Sequence, residues 1–85
     1  MTEKEAAYAE YVRIGRKSDE AFRELIRRDR AHAIGRALNV TPYVLRVLST
    51  LARRAEVKYW RLADRRHAAF DVWNKARKAA NSERG

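Results

Sequence analysis

The chain has 85 residues and a mass of 9.9 kDa, with twenty Lys and Arg against eleven Asp and Glu, a formal net charge of +9 and a pI near 10.7. That length supports one domain, 1–85, which on folding buries about 64% of the surface of an open chain. The absence of Cys excludes a disulfide framework, a thiolate metal site and a Cys nucleophile, and no apolar run approaches the ~18 residues of a membrane span.

Thr2 and Glu5 have capping-box spacing and predict a helix from residue 3 to Ile14. Gly15 reads as its C′ stop, making 1–15 a helical arm whose Tyr8, Tyr11 and Val12 share a face for a partner chain. Ser18, followed by Asp19 and Glu20, reads as the cap of a second helix with Phe22, Leu25 and Ile26 inward. The apolar pattern weakens over Arg27-Arg28-Asp29-Arg30, which predicts a break near 29–31; one continuous helix over 19–38 is the alternative.

Asn39-Val40-Thr41-Pro42 is the sharpest punctuation in the chain. Asn39 suits a left-handed φ, Thr41 an N-cap and Pro42 the first helical position, where its missing N–H costs nothing. Val40 and Leu45 have the spacing of a hydrophobic staple. A helix over 42–54 then turns Val44, Val47, Leu48 and Leu51 inward and Tyr43, Arg46, Thr50 and Arg53 outward.

Residues 57–62 and 70–73 are rich in β-formers, and the polar stretch 63–67 between them reads as the turn of a β-hairpin. The alternative is a helix from 42 to 80, with Val44, Leu48, Leu51, Ala55, Leu62, Ala69, Trp73 and Ala80 on one stripe. A short C-terminal helix capped by Asn74 follows, fraying before Gly85.

Charge is uneven along the chain. Residues 1–40 carry nine basic and seven acidic side chains, and residues 41–85 eleven and four. A clustered positive field is what phosphate binding requires, so the second half reads as a polyanion contact.

Residues 33–51, Ala-Ile-Gly-Arg-Ala-Leu-Asn-Val-Thr-Pro-Tyr-Val-Leu-Arg-Val-Leu-Ser-Thr-Leu, resemble a helix-turn-helix. With Ala63-Asp64-Arg65-Arg66 before an apolar strand, residues 21–80 resemble the winged helix-turn-helix regulators of the MarR type, without their long dimerisation helices. The resemblance implies a mainly α fold with a small β-hairpin as wing; an all-α helix-turn-helix bundle without a wing is the alternative. It departs from the family at Leu45, Ala55 and Glu56.

On this reading Arg46, Tyr43, Thr50 and Arg53 meet base edges, Thr41, Lys58 and Arg61 meet the backbone, and Arg65 and Arg66 form the wing. The expected function is sequence-specific binding of double-stranded DNA, as a small transcriptional regulator acting as a homodimer on a palindromic operator. The small core points to a dimer, since only 24 of the 39 hydrophobic residues are larger than Ala. Trp60 and Trp73 read as core or hairpin packing, with a dimer face or a base-stacking platform as alternatives.

His32 and His67 have no second ligand at metal spacing, and no nucleophile or glycine-rich phosphate loop stands out. No enzyme, cofactor, metal or membrane partner is expected, and the polar, mixed-charge N-terminus predicts a cytoplasmic protein. Two other readings stay open. One is a phage- or plasmid-type interaction protein whose protein partner is a host complex such as a CRISPR effector or RNA polymerase; the other is an RNA-binding or relaxosome accessory protein.

Overall fold

The computed structural model describes the backbone of residues 1–84 and the side chains of residues 1–82. It contains two helices, α1 (Glu3–Ala37, 35 residues) and α2 (Pro42–Arg84, 43 residues), packed side by side as an antiparallel helical hairpin. At 1.5 Å per residue α2 runs about 64 Å. The longest dimension of the molecule is 65 Å, against 17 and 13 Å in the others, so α2 is nearly straight and sets the length.

Thr2 caps α1 as its spacing from Glu5 implies. Its Oγ1 accepts from the Glu5 amide at 3.1 Å and donates to Glu5 Oε1 at 3.2 Å. The bend between the helices is a Schellman turn. The Asn39 amide donates to the Arg36 carbonyl and the Val40 amide to the Gly35 carbonyl, both at 3.2 Å. Asn39 takes the left-handed conformation with φ of 53°. The α2 helix opens at Pro42, and Thr41 Oγ1 accepts from the Val44 amide at 3.4 Å. A Cβ on Gly35 would lie 2.8 Å from Leu48 Cδ1 and within 3.5 Å of Val40 and Leu45, so a residue without a side chain lets α2 start this close to α1.

The two helices meet along a seam with alternating steps of three and four residues. In α1 it runs Tyr11, Ile14, Ser18, Ala21, Leu25, Arg28, His32, Gly35; in α2 it runs Leu48, Ala52, Ala55, Tyr59, Leu62, Arg66, Ala69, Trp73. Every one of these residues is buried or half-buried. A seven-residue repeat of this kind keeps one stripe of each helix against its neighbour over many turns. The most deeply buried side chains are small: besides Ile14 and Leu62 they are Ser18 and the alanines 21, 52, 55 and 69.

The structure corrects several sequence expectations. Residues 57–73 form no β-hairpin and hence no wing: the whole stretch is helical, and the described residues contain no strand. The β-forming residues Val57, Tyr59, Trp60 and Phe70 are carried in a helix because seam contacts every third or fourth residue outweigh a propensity spread of only ~1 kcal/mol. The winged fold implied by the MarR resemblance is therefore not the fold of this chain.

Gly15 does not stop α1, Ser18 does not cap a second helix, and no break occurs at 29–31. Gly15 and Ser18 are instead buried inside α1 where it passes α2. Asn74 caps nothing, since α2 runs through it and its Oδ1 accepts from Arg77. The expected fraying at Gly85 lies outside the described residues.

Two outcomes test this arrangement. Leu62→Ala removes the largest deeply buried side chain of α2 and should cost about 2 kcal/mol in urea unfolding. Asn39→Val should cost about 1–2 kcal/mol by placing a β-branched residue at positive φ, whereas Asn39→Gly should be tolerated.

Candidate nucleic-acid interface

The seam divides the surface of the hairpin into two unlike sides. On one side the groove between the helices is lined by Tyr11, Ser18, Tyr59, Trp60, Arg66 and Phe70, among others. On the other it is lined by Lys17, Glu20, Glu24, Arg28, Arg54, Lys58 and Arg65. Helical periodicity extends these two sides along both helices.

The cationic side is built mainly by α2. Arg54, Lys58, Arg61 and Arg65 recur at steps of four, three and four, forming one row about 16 Å long. All four are exposed. Among the described residues none of them forms an ion pair within 4 Å.

Three cations of α1 differ. Arg13 is bound to Glu10, Arg27 reaches Glu24 at 2.6 Å, and Arg28 reaches Glu24 at 2.9 Å. The Arg13 hydrogen bond holds the Glu10 carboxyl below its ordinary range against an opposing effect of desolvation, and the positive charges of Arg65 and Lys17 add to it.

The order of charges bears on the pairs that do form. An acid N-terminal to its base is the favourable arrangement in a helix, and Glu10–Arg13 and Glu24–Arg28 have it. In α2 the order is reversed at Arg53–Glu56 and Arg61–Asp64, and these do not pair.

The residues expected from the sequence to contact DNA fall into three groups. Thr50, Arg53, Lys58, Arg61 and Arg65 line one open depression on α2. Tyr43, Arg46 and Thr50 line a shallower one nearer the bend. Arg54 lines both depressions and the interhelical groove. Its part was hidden in the sequence by dividing residues 55–73 into strands, although the 4-3-4 spacing of the cations was present.

The third group is engaged within the molecule. Thr41 spends its hydroxyl oxygen on the Val44 amide. Arg66 is no wing residue: it sits in the seam, with Nη1 3.5 Å from Asp19 Oδ1 and its guanidinium 5.8 Å from the centre of the Tyr11 ring. Residues 42–54, expected as a separate recognition helix, are the first part of a 43-residue helix that continues to Arg84. The helix-turn-helix angle is replaced by an antiparallel return.

Among the described residues no three His, Asp or Glu side chains group as a metal site, and no helix is long and apolar enough to cross a membrane. Comparison with protein-family models, with curated proteins and with solved structures returns no match.

The group assignment carries its own test. Arg66→Met should leave the far-ultraviolet circular dichroism unchanged and lower the free energy of urea unfolding by less than ~1 kcal/mol, the scale of a partly exposed ion pair. A drop of several kcal/mol would show that Arg66 holds the hairpin together.

Proposed function

We propose that this chain binds duplex DNA through its phosphate backbone, with α2 supplying the contact and two copies acting together as a homodimer. The observation that carries this reading is the free row Arg54, Lys58, Arg61 and Arg65 on a straight, rigid helix. Four cations held in line and not neutralised within the molecule suit a regular lattice of phosphates.

The position of the aromatic residues favours a duplex over a single strand. Proteins that hold single-stranded nucleic acid interleave cations with rings on which bases stack. Here seven of the eight aromatic residues lie on the other side of the seam or within it, and only Tyr43, near the bend, is outside this set. The cationic row therefore contacts backbone and offers no stacking platform. Contacts of this kind position a protein without reading sequence, so the proposal is binding with little base preference rather than recognition of an operator.

Four phosphate contacts per hairpin give a log–log salt slope of about −3.6, or roughly a 100-fold loss in affinity between 50 and 200 mM salt. Fluorescence anisotropy with labelled duplexes of two unrelated sequences should show this slope and nearly equal affinities. Replacing all four residues by Ala should abolish most binding at 100 mM salt, while each single replacement should reduce the slope by about 1. Affinity that ignores salt, or survives the fourfold replacement, would overturn the proposal; tighter binding to single-stranded RNA would replace the partner.

A further inference from the structure

The side of the hairpin opposite the cationic row is an unpaired aromatic surface. Tyr8, Phe22, Trp60 and Phe70 on it remain 50%, 46%, 57% and 38% exposed. Four half-exposed rings amount to about 400 Å², as large as the largest apolar patch on a typical monomer. They extend two clusters anchored in the seam. Near the open end Tyr8 and Tyr11 meet Phe70 and Trp73 with ring centroids 5.3–5.7 Å apart. Nearer the bend Phe22, Tyr59 and Trp60 pack at 5.3–5.4 Å. Between the clusters lies a waist of small residues, Gly15, Ser18 and Ala63, with the Asp19–Arg66 pair beside it.

We infer that this face binds a second copy of the chain, turned about a two-fold axis through the waist, so that two hairpins form a four-helix bundle with their cationic rows on opposite outer sides. Three observations select a second copy as the occupant. The first is the layout. The clusters are similar in composition and lie on either side of the waist, so a two-fold rotation sets the Tyr8–Trp73 cluster of one copy on the Phe22–Trp60 cluster of the other. An isologous interface needs such self-complementarity.

The second is charge. The groove on the aromatic side is lined by one base, Arg66, and one acid, Asp64, with Asp19 paired to Arg66. The groove on the cationic side is lined by six bases, Lys17, Arg27, Arg28, Arg54, Lys58 and Arg65, against two acids, Glu20 and Glu24. Two copies of a chain of net charge +9 can therefore meet on a face without net repulsion. Their outer rows end about 20 Å apart, two helix layers, beyond the Debye length at physiological salt. The third is area. A face 65 Å long and 17 Å wide has a footprint on the order of 1,000 Å², above the ~800 Å² each partner gives a standard stable interface.

The consequence is a different use of DNA from the palindrome expected from the sequence. Two rows on opposite sides cannot follow one duplex; each engages its own, and the dimer bridges two segments. The bridging rests on the backbone-binding reading above, whereas the pairing does not.

The tests separate the two. Sedimentation equilibrium at tens of micromolar should give twice the 9.9 kDa chain mass. Phe22→Glu/Trp60→Glu should sediment as a monomer with unchanged helix content, and the fourfold Ala variant of the cationic row should stay dimeric. The natural chain has no Cys, so Ala63→Cys at the waist should give a disulfide-linked dimer under mild oxidation with diamide, while Ala68→Cys on the cationic side should stay unlinked. Energy transfer between two separately labelled duplexes should rise on adding the natural chain and not on adding the Phe22→Glu/Trp60→Glu variant. A monomeric natural chain, a dimer that survives the double replacement, or linkage through position 68 instead of 63 overturns the pairing. Duplex binding without energy transfer overturns the bridging alone. Loss of all duplex binding overturns the backbone reading and leaves the pairing to the mass and cross-linking results.

Discussion

The seam between α1 and α2 constrains everything else in this molecule. It is a long contact whose most deeply buried side chains are mostly small. Ser18 and the alanines 21, 52, 55 and 69 let two helices lie close over many turns. A residue that small contributes little transfer energy: burying a large aliphatic side chain yields about 1.5–3 kcal/mol, and Ala only a fraction of that. Length then compensates for thinness. Seven-residue periodicity holds the same stripe of each helix in contact from the Schellman turn at Asn39 to the Tyr11–Trp73 stack, and a single turn of either helix would be unstable alone.

The large apolar residues divide around this thin core. The seam takes in Tyr11, Tyr59 and Trp73, while Trp60, Phe22 and Phe70 stand beside it on one side and remain exposed. The cations take the other. This segregation by face is the feature the charge count approximates. The excess of positive charge in the second half of the sequence is real, but its basis is pairing as much as number. In α1 three bases, Arg13, Arg27 and Arg28, are paired with an acid one turn earlier, and the row on α2 is free.

The legible part of the fold was the part written in backbone chemistry. Thr2 with Glu5, and Asn39-Val40-Thr41-Pro42, announce helix ends through residues whose conformations or hydrogen bonds few others can supply, and the structure uses them so. The same vocabulary misled at Gly15 and Ser18. A small residue signals a helix end when it frees the backbone and a helix contact when it frees space, and local sequence does not distinguish these. At 57–73 the confusion was between Val, Tyr, Trp and Phe as strand formers and the same residues as members of a 3-4 repeat. The repeat emerges only over three or four heptads. Read in windows of five or six residues, it resembles alternation. The candidate site suffers from that division: it separates Lys58 and Arg61, as backbone contacts, from Arg65 and Arg66, as a wing, leaves Arg54 out of the row, and hides the seam position of Arg66.

The exposed rings and the free cations bear on each other through electrostatics. Apolar association of a strongly basic chain is opposed by its own charge, and an even distribution would place several like charges within a Debye length across any dimer interface. Collecting the excess on one side removes that opposition from the other side, where Arg66 is matched by Asp19. The same separation lowers the dielectric cost of ring packing, since Asp19 and Arg66 at the waist enter as a pair with their charges already matched. A mixture of rings and unpaired cations on one face would weaken both proposed functions, because burying the rings would bury the cations with them. Phosphate contact needs hydrated, accessible charge and self-association needs dry, neutral surface, and a two-helix hairpin has just enough sides to give one to each.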